Sequence, residues 1–295
     1  MRLYDETVLH GAIDIHIHVG PDYMPRYADS FTLAEEARDV GMRAIVIKNH
    51  LSSTAAAAHA ATLKIPEVQV LGSIALNSTV GGINPRAAMA AIMSGAKVVW
   101  LPTVDARYGL VRAEEGHWIK HYVHSSAFGY ESPSLTVIDE TGKLKPETQE
   151  ILRICHEHHV ALCSGHISPQ ECLAVAKEAK KIGYKQFEIT HPNAWTDDFT
   201  IDVMRELAAC GAVLSISYGA CSPRNGREDP EEIVHIIHEI GAQNCILMTD
   251  YGQTVSPSPA QGMRVFYYLM KSMGIEPSAL DLMMKSNPAK LLNLN

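Results

Sequence analysis

Eight short apolar runs rich in β-branched residues recur along the chain at 12–18, 44–50, 68–76, 97–101, 160–166, 186–191, 212–217 and 245–250. Each reads as a buried strand, and the intervening stretches have helical spacing. In the first run apolar and polar residues alternate. A strand period of two predicts Asp14, His16 and His18 on one face and Ile13, Ile15 and Ile17 on the other. Helix ends are marked by local chemistry. Thr32-x-x-Glu35 reads as a capping box, with Gly41 closing that helix. The Ala-rich run from Thr54 is helical by propensity. Asn84-Pro85, Ser168-Pro169 and Asp229-Pro230 each pair a cap residue with proline at the first helical position, and the three helices run to Gly95, Gly183 and Gly241. Ser258-Pro259 and Pro277-Ser278 open the last two.

Eight strands alternating with helices predict an α/β fold, a (β/α)8 TIM barrel. Successive strands start roughly 25–33 residues apart, as helical crossovers require. Between strands 4 and 5 the spacing doubles. The excess, about residues 105–145, holds a polar helix-like run at 113–124 and a hairpin-like piece turning at Glu140–Gly142. An insertion after a barrel strand lies on the catalytic face, so a lid and a subunit contact are both open readings. No linker or low-complexity tract interrupts residues 1–295, which are read as one barrel domain.

Composition narrows the partners. With 46% hydrophobic and 20% charged residues, the 295-residue chain suits a globular protein with a large core. A formal charge of −8 argues against nucleic acid and anionic membrane surfaces. No apolar run approaches the ~20 residues of a bilayer span. The first residues lack the apolar core of a signal peptide, so a cytoplasmic location is expected. The six cysteines form no C-x-x-C pair. Cys163, Cys210 and Cys245 lie in or beside apolar runs and are read as core.

The candidate chemistry sits at the strand ends. Strand 1 ends in His16 and His18, strand 2 in Lys48-Asn49-His50, strand 5 in His166, strand 6 in His191 and strand 8 in Asp250. Barrel active sites are assembled from those ends. Neutral imidazoles can hold a divalent ion that lowers the pKa of a bound water from about 15.7 toward about 7. Asp250 could accept the proton and deliver it to a leaving group. His191 could bind a second ion or polarise a carbonyl.

H-x-H at His16/His18, His166, His191, Asp250 and the closing Asn287-Pro288-Ala289-Lys290-Leu291-Leu292-Asn293-Leu294 together resemble the amidohydrolase superfamily of metal-dependent hydrolases, over nearly the whole barrel. The resemblance implies that His16, His18, His166 and Asp250 bind one ion while His191 assists, or that His166 and His191 hold a second ion bridged to the first. The segment before strand 1 is too short for the β-sandwich of many relatives, which makes the chain more like the compact barrels. The family's bridging lysine usually comes from strand 4. Here the only lysine of strand 4, Lys97, is at its wrong end, and Lys48 ends strand 2 instead. Lys48 is therefore read as a carbamylated or direct metal ligand, as a cation for an anionic substrate group, or as a structural ion-pair member.

The expected function is hydrolysis of an amide, cyclic amide, lactone or related bond of a small molecule, with Asp250 as general base. The cofactor is one or two divalent ions, Zn²⁺ first, with Mn²⁺ and Fe²⁺ as alternatives. His50, Arg107 and Arg224 are the substrate-contact candidates, an arginine there pairing with a carboxylate. His117, His121 and His124 are read as surface or lid residues. A homo-oligomer is compatible with the sequence. The competing functions are a metal-dependent decarboxylase or lyase on the same scaffold, and a metal-binding barrel without catalysis.

Overall fold

A computed structural model describes residues 5–121, 132–222, 225 and 228–294. Eight parallel strands follow one another in order around a sheet: β1 (Ile13–His18), β2 (Ala44–Lys48), β3 (Gln69–Ala75), β4 (Ala96–Trp100), β5 (Ala161–Cys163), β6 (Phe187–Thr190), β7 (Val213–Ser217) and β8 (Cys245–Met248). Main-chain bonds from Asp250 N–H to His16 O at 3.1 Å and from His18 N–H to Tyr251 O at 2.7 Å join the two edges. This is the (β/α)8 barrel that the alternation predicted. Among the described residues no helix is long and apolar enough to cross a membrane.

Each expected strand is present, but several stop short. β5 ends at Cys163 and β8 at Met248, so His166 and Asp250 stand in the loops above them. Burial splits into two layers. Ile13, Ile15, Ala44, Val46, Val98, Trp100, Ile246 and Met248 pack together inside the barrel, with Ala289, Leu291 and Leu292 of the last turn against them. Ile17, Ile45, Ile47 and Val99 face the helices.

That partition corrects the expected faces of β1. Asp14 pairs with Ile45, but Ile17 pairs with Ile47, so β1 carries one residue more than β2 over the same interval. The bulge turns Ile15 and His16 inward in succession and leaves Asp14 on the outer face. Asp14 fixes the irregularity. Its carboxylate accepts from His16 N–H at 3.2 Å, Thr249 N–H at 3.2 Å and the Thr249 hydroxyl at 2.5 Å.

Three local readings also change. The helix Ser30–Asp39 is capped by Asp29, which accepts from Thr32 N–H at 2.8 Å; Thr32 is its third helical residue, and the Thr32/Glu35 box is not formed. In the insertion the helix starts earlier, at Arg107–Glu114, and Gly116 in the left-handed region separates it from a 3₁₀ turn at Trp118–His121. Residues 122–124, the end of the expected helix, lie outside the described residues. The hairpin reduces to a single antiparallel bridge, Ile138 with Leu144, whose turn Asp139 closes by accepting from the Thr141 and Lys143 N–H groups. The proline-led caps form as expected: Asn84, Ser168, Asp229 and Ser258 each accept from a first-turn N–H. Cys163 and Cys245 are buried, whereas Cys210 is only half-buried.

Candidate metal centre

At the barrel mouth β1 and the loops after β2, β5 and β6 bring five imidazoles into an arc. Ring centroids lie 5.0 Å apart for His50–His18, 5.1 Å for His18–His16, 5.9 Å for His16–His191 and 5.1 Å for His191–His166. All five are buried. Asp250 comes over from β8, its Oδ1 standing 3.2 Å from His16 Nε2 and 3.0 Å from His18 Nε2. Trp100 is the floor, its ring 4.6 Å from that of His16.

Special backbone positions aim these groups. His191 and Asp250 both have left-handed φ, 37° and 55°. This region costs non-glycine residues energy and is tolerated where the surroundings fix it. Gly252 permits the β8 loop to cross β1: a Cβ there would stand 2.0 Å from His18 O, and its φ is +119°. Gly165 does the same before His166, with a notional Cβ 2.5 Å from Leu101 O.

Burial decides the protonation. Desolvation first, then the charge of Lys48, holds His16 and His50 well below the ordinary imidazole range. For His18 the second cause is Arg26. His166 is likewise depressed, and His191 is held down to about 3. The arc is therefore neutral, the form that ligates metals. Burial pushes Asp250 up to about 7 against the pull of Lys48, and brings Lys48 down to about 8. Lys48 Nζ lies 3.0 Å from His16 Nε2 and 4.4 Å from the Trp100 ring centroid.

Among the described residues, two triads bring ligand atoms within 4.8 Å of one another: His16–His18–Asp250 and His18–Asp22–His50. The second is compromised. Asp22 already takes the Arg26 Nε–H at 2.8 Å and Nη2–H at 2.5 Å, and also the Tyr23 N–H. The first fits a divalent ion, because two neutral imidazoles and one carboxylate converge through Nε2 and Oδ1; behind them the buried Nδ1 atoms of His16 and His18, like that of His166, have no hydrogen-bond partner.

The sequence-derived residues thus divide. His16, His18 and Asp250 converge, and Lys48 touches His16. His166 and His191 pair beside them. His50 adjoins His18, and its Nδ1 lies 2.8 Å from the Thr103 hydroxyl. Arg107 does not join them. It begins the insertion's helix and is exposed on a groove with Thr136, Asp139, Glu140 and Lys145. Arg224 lies outside the described residues, as does His124. Of the histidines read as surface or lid residues, His121 is exposed, and His117 is half-buried with its ring parallel to Trp195 at 4.7 Å. Reading strand ends missed Trp195. Asp14 was visible only as a carboxylate two residues before His16, and Asp22 and Arg26 only as loop residues after strand 1; their ion pair shows in the structure.

A family model described as a family of unknown function, DUF6282, matches residues 11–215, more than half of the chain. The chain belongs to the DUF6282 family. Comparison with curated proteins gives no match. Solved structures similar to this DUF6282 chain include the probable dipeptidase PvdM from Pseudomonas aeruginosa, with TM-score 0.65 and 9% identity over 98% of each chain. An amidohydrolase from the same organism has TM-score 0.62 and 10% identity, covering 98% of this chain and 97% of its own. The organophosphorus hydrolase from Deinococcus radiodurans has TM-score 0.59 and 14% identity, covering 98% and 94%. At such identities the likeness is one of fold, and it bears out the expected (β/α)8 barrel.

Proposed function

We propose that this DUF6282 chain is a metal-dependent hydrolase acting on an amide, cyclic amide, lactone or related bond of a small molecule. The observation that carries the reading is the convergence of His16, His18 and Asp250 at the barrel mouth, with all their ligand atoms within 4.8 Å. The hydrolase descriptions of proteins sharing the fold support it. His16, His18 and Asp250 would hold the ion, with His166 beside them. Zn²⁺ is the first candidate for such imidazole–carboxylate sets.

When bound, the ion would supply a low-pKa water and polarise the scissile group. The chain's own groups do the rest. Asp250 takes a proton at the carboxylate oxygen turned away from the two Nε2 atoms and returns it to the leaving atom. Lys48 lies under His16 as the buried cation that holds back the rise of the Asp250 pKa. In its neutral form the amine could instead be carboxylated. Trp100 and the bulge fixed by Asp14 prevent His16 from moving. The orphaned Nδ1 atoms are notable, because ligating histidines usually donate that hydrogen to a neighbour.

A panel of lactones, cyclic amides and amides tested on metal-loaded protein checks the reading. Turnover that is lost on chelation and restored by the ion is expected. Tight metal binding with no turnover of any of them would favour the non-catalytic alternative.

A further inference from the structure

One side chain at the edge of the centre settles what His191 can do. Trp195 Nε1–H donates to His191 Nδ1 at 3.1 Å. An indole nitrogen is a donor only. His191 Nδ1 must therefore carry a lone pair. The ring is neutral, so its one proton lies on Nε2, the nitrogen on the other side of the ring.

Trp195 is itself held from several sides. Its ring faces His117 at 4.7 Å with an interplanar angle of 6°, and lies 5.0 Å from Trp118 and 5.1 Å from Tyr108. Trp118 donates its indole N–H to Ala194 O at 2.8 Å, next to Trp195. The Tyr108 hydroxyl donates to Asp198 at 2.6 Å. His117, Trp118 and Tyr108 all come from the β4 insertion, while Trp195 and Asp198 follow β6. Trp195 is 2% exposed, so its donor has little freedom to turn elsewhere.

We propose that Tyr108, His117 and Trp118 of the β4 insertion form a buttress that fixes Trp195, and that Trp195 is a positioning residue that sets the tautomer of His191. His191 then presents Nε2–H as a hydrogen-bond donor to an oxygen of the substrate. The ion is held without His191, since a protonated nitrogen cannot ligate. This rests on the metal-hydrolase reading and sharpens it: the centre does not use the strand-6 histidine to hold a second ion. The buttress also gives the insertion a role other than a lid or a subunit contact.

The test combines nuclear magnetic resonance with metal counting. Long-range ¹H–¹⁵N spectra of the full-length protein, with His191 assigned by comparison with His191→Asn, report which ring nitrogen carries the proton. Asparagine is chosen because it tolerates the left-handed backbone at this position. The expected result is a protonated Nε2 and a bare Nδ1, both in metal-free protein and after Zn²⁺ is added. His191→Asn should bind as many ions per chain as the wild type. Trp195→Phe keeps the stacked ring but lacks the N–H. It should lose the single tautomer, keep the metal content and lower kcat by about 10–100-fold with little change in KM, the usual range for losing an outer partner. A protonated Nδ1 in the wild type, or loss of an ion in His191→Asn, would overturn the inference. A chain with the expected tautomer that binds no metal would retain the Trp195 assignment and count against the hydrolase reading instead.

Discussion

Replacing Asp250 with asparagine separates its two energetic roles. Burial raises the Asp250 pKa from 3.8 to about 7. At pH 8 the ionised form is therefore held in the metal-free fold at a cost on the order of 4 kcal/mol, reduced by whatever Lys48 loses when its partner goes. The asparagine side chain has the same shape without the charge. Metal-free D250N is accordingly expected to be as stable as the wild type or more so, by about 1–3 kcal/mol. At about 2 °C per kcal/mol for a chain of this size, the midpoint should rise by ~2–6 °C. Metal acts in the opposite sense, favouring the wild type by about 2.3 kcal/mol. Free Zn²⁺ at 100 times the wild-type Kd adds ~2.7 kcal/mol to the wild type, or about 5 °C. If loss of the anionic ligand weakens binding 100-fold, the variant gains only ~0.4 kcal/mol at that concentration. Thermal scans at pH 8 across a metal titration give both numbers. A D250N protein that keeps the full metal increment, or that is several kcal/mol less stable without metal, would refute the reasoning.

Other predictions follow from the same geometry. Gly252→Ala puts a Cβ 2.0 Å from the His18 carbonyl at a φ of +119°, so urea denaturation should show a loss of at least ~2 kcal/mol; an unchanged midpoint would mean the crossing is not tight. In Lys48→Met the cation that lowers the Asp250 pKa is gone, so the acid limb of the pH–rate profile should move to higher pH; a shift to lower pH contradicts the assigned coupling. Mass spectrometry of gently handled native protein should show an added carboxylate on Lys48 if the amine is carboxylated, and the unmodified mass assigns it the cationic role. Metal-free protein should lose stability below about pH 6.5, the ordinary imidazole pKa. The five buried histidines resist protonation in the fold but take up protons once unfolded, so the unfolded state binds more protons as pH falls. Asp14, Asp250 and Glu188, whose folded pKa values are raised, oppose this by holding protons in the fold. Counting His117, also depressed, and Glu228, also raised to about 7, six imidazoles against four carboxyls leave a surplus of about two protons, or roughly 2.7 kcal/mol per pH unit near pH 5.5. A flat profile there, measured by urea titration, would mean that the arc is not kept neutral.

The barrel was legible because parallel strands buried on both faces read as apolar runs, and because proline-led caps mark the helix starts. His16, His18 and Asp250 were legible because chain position alone puts strand ends on one face. What the sequence hid was irregular backbone. A period of two cannot show a bulge, so the inward turn of both Ile15 and His16, and the outward place of Asp14, came only from the register of β1 against β2. Loop side chains were equally opaque. Arg107 looked suited to an anion but is exposed at the start of the insertion's helix, while Arg26, its side chain buried against Asp22, lies close enough to depress His18. Trp195 had no signature, because a tryptophan four residues after a histidine has meaning only once the 3₁₀ turn Pro192–Trp195 folds the indole back onto the imidazole.

The most direct test of the central claim is the metal content of the purified chain, measured by elemental analysis after chelation and reloading with Zn²⁺. At least one tightly held ion per wild-type chain is expected, and none in a folded His16→Ala/His18→Ala double variant. A wild-type chain that retains no ion, or a double variant that retains as many, would contradict it.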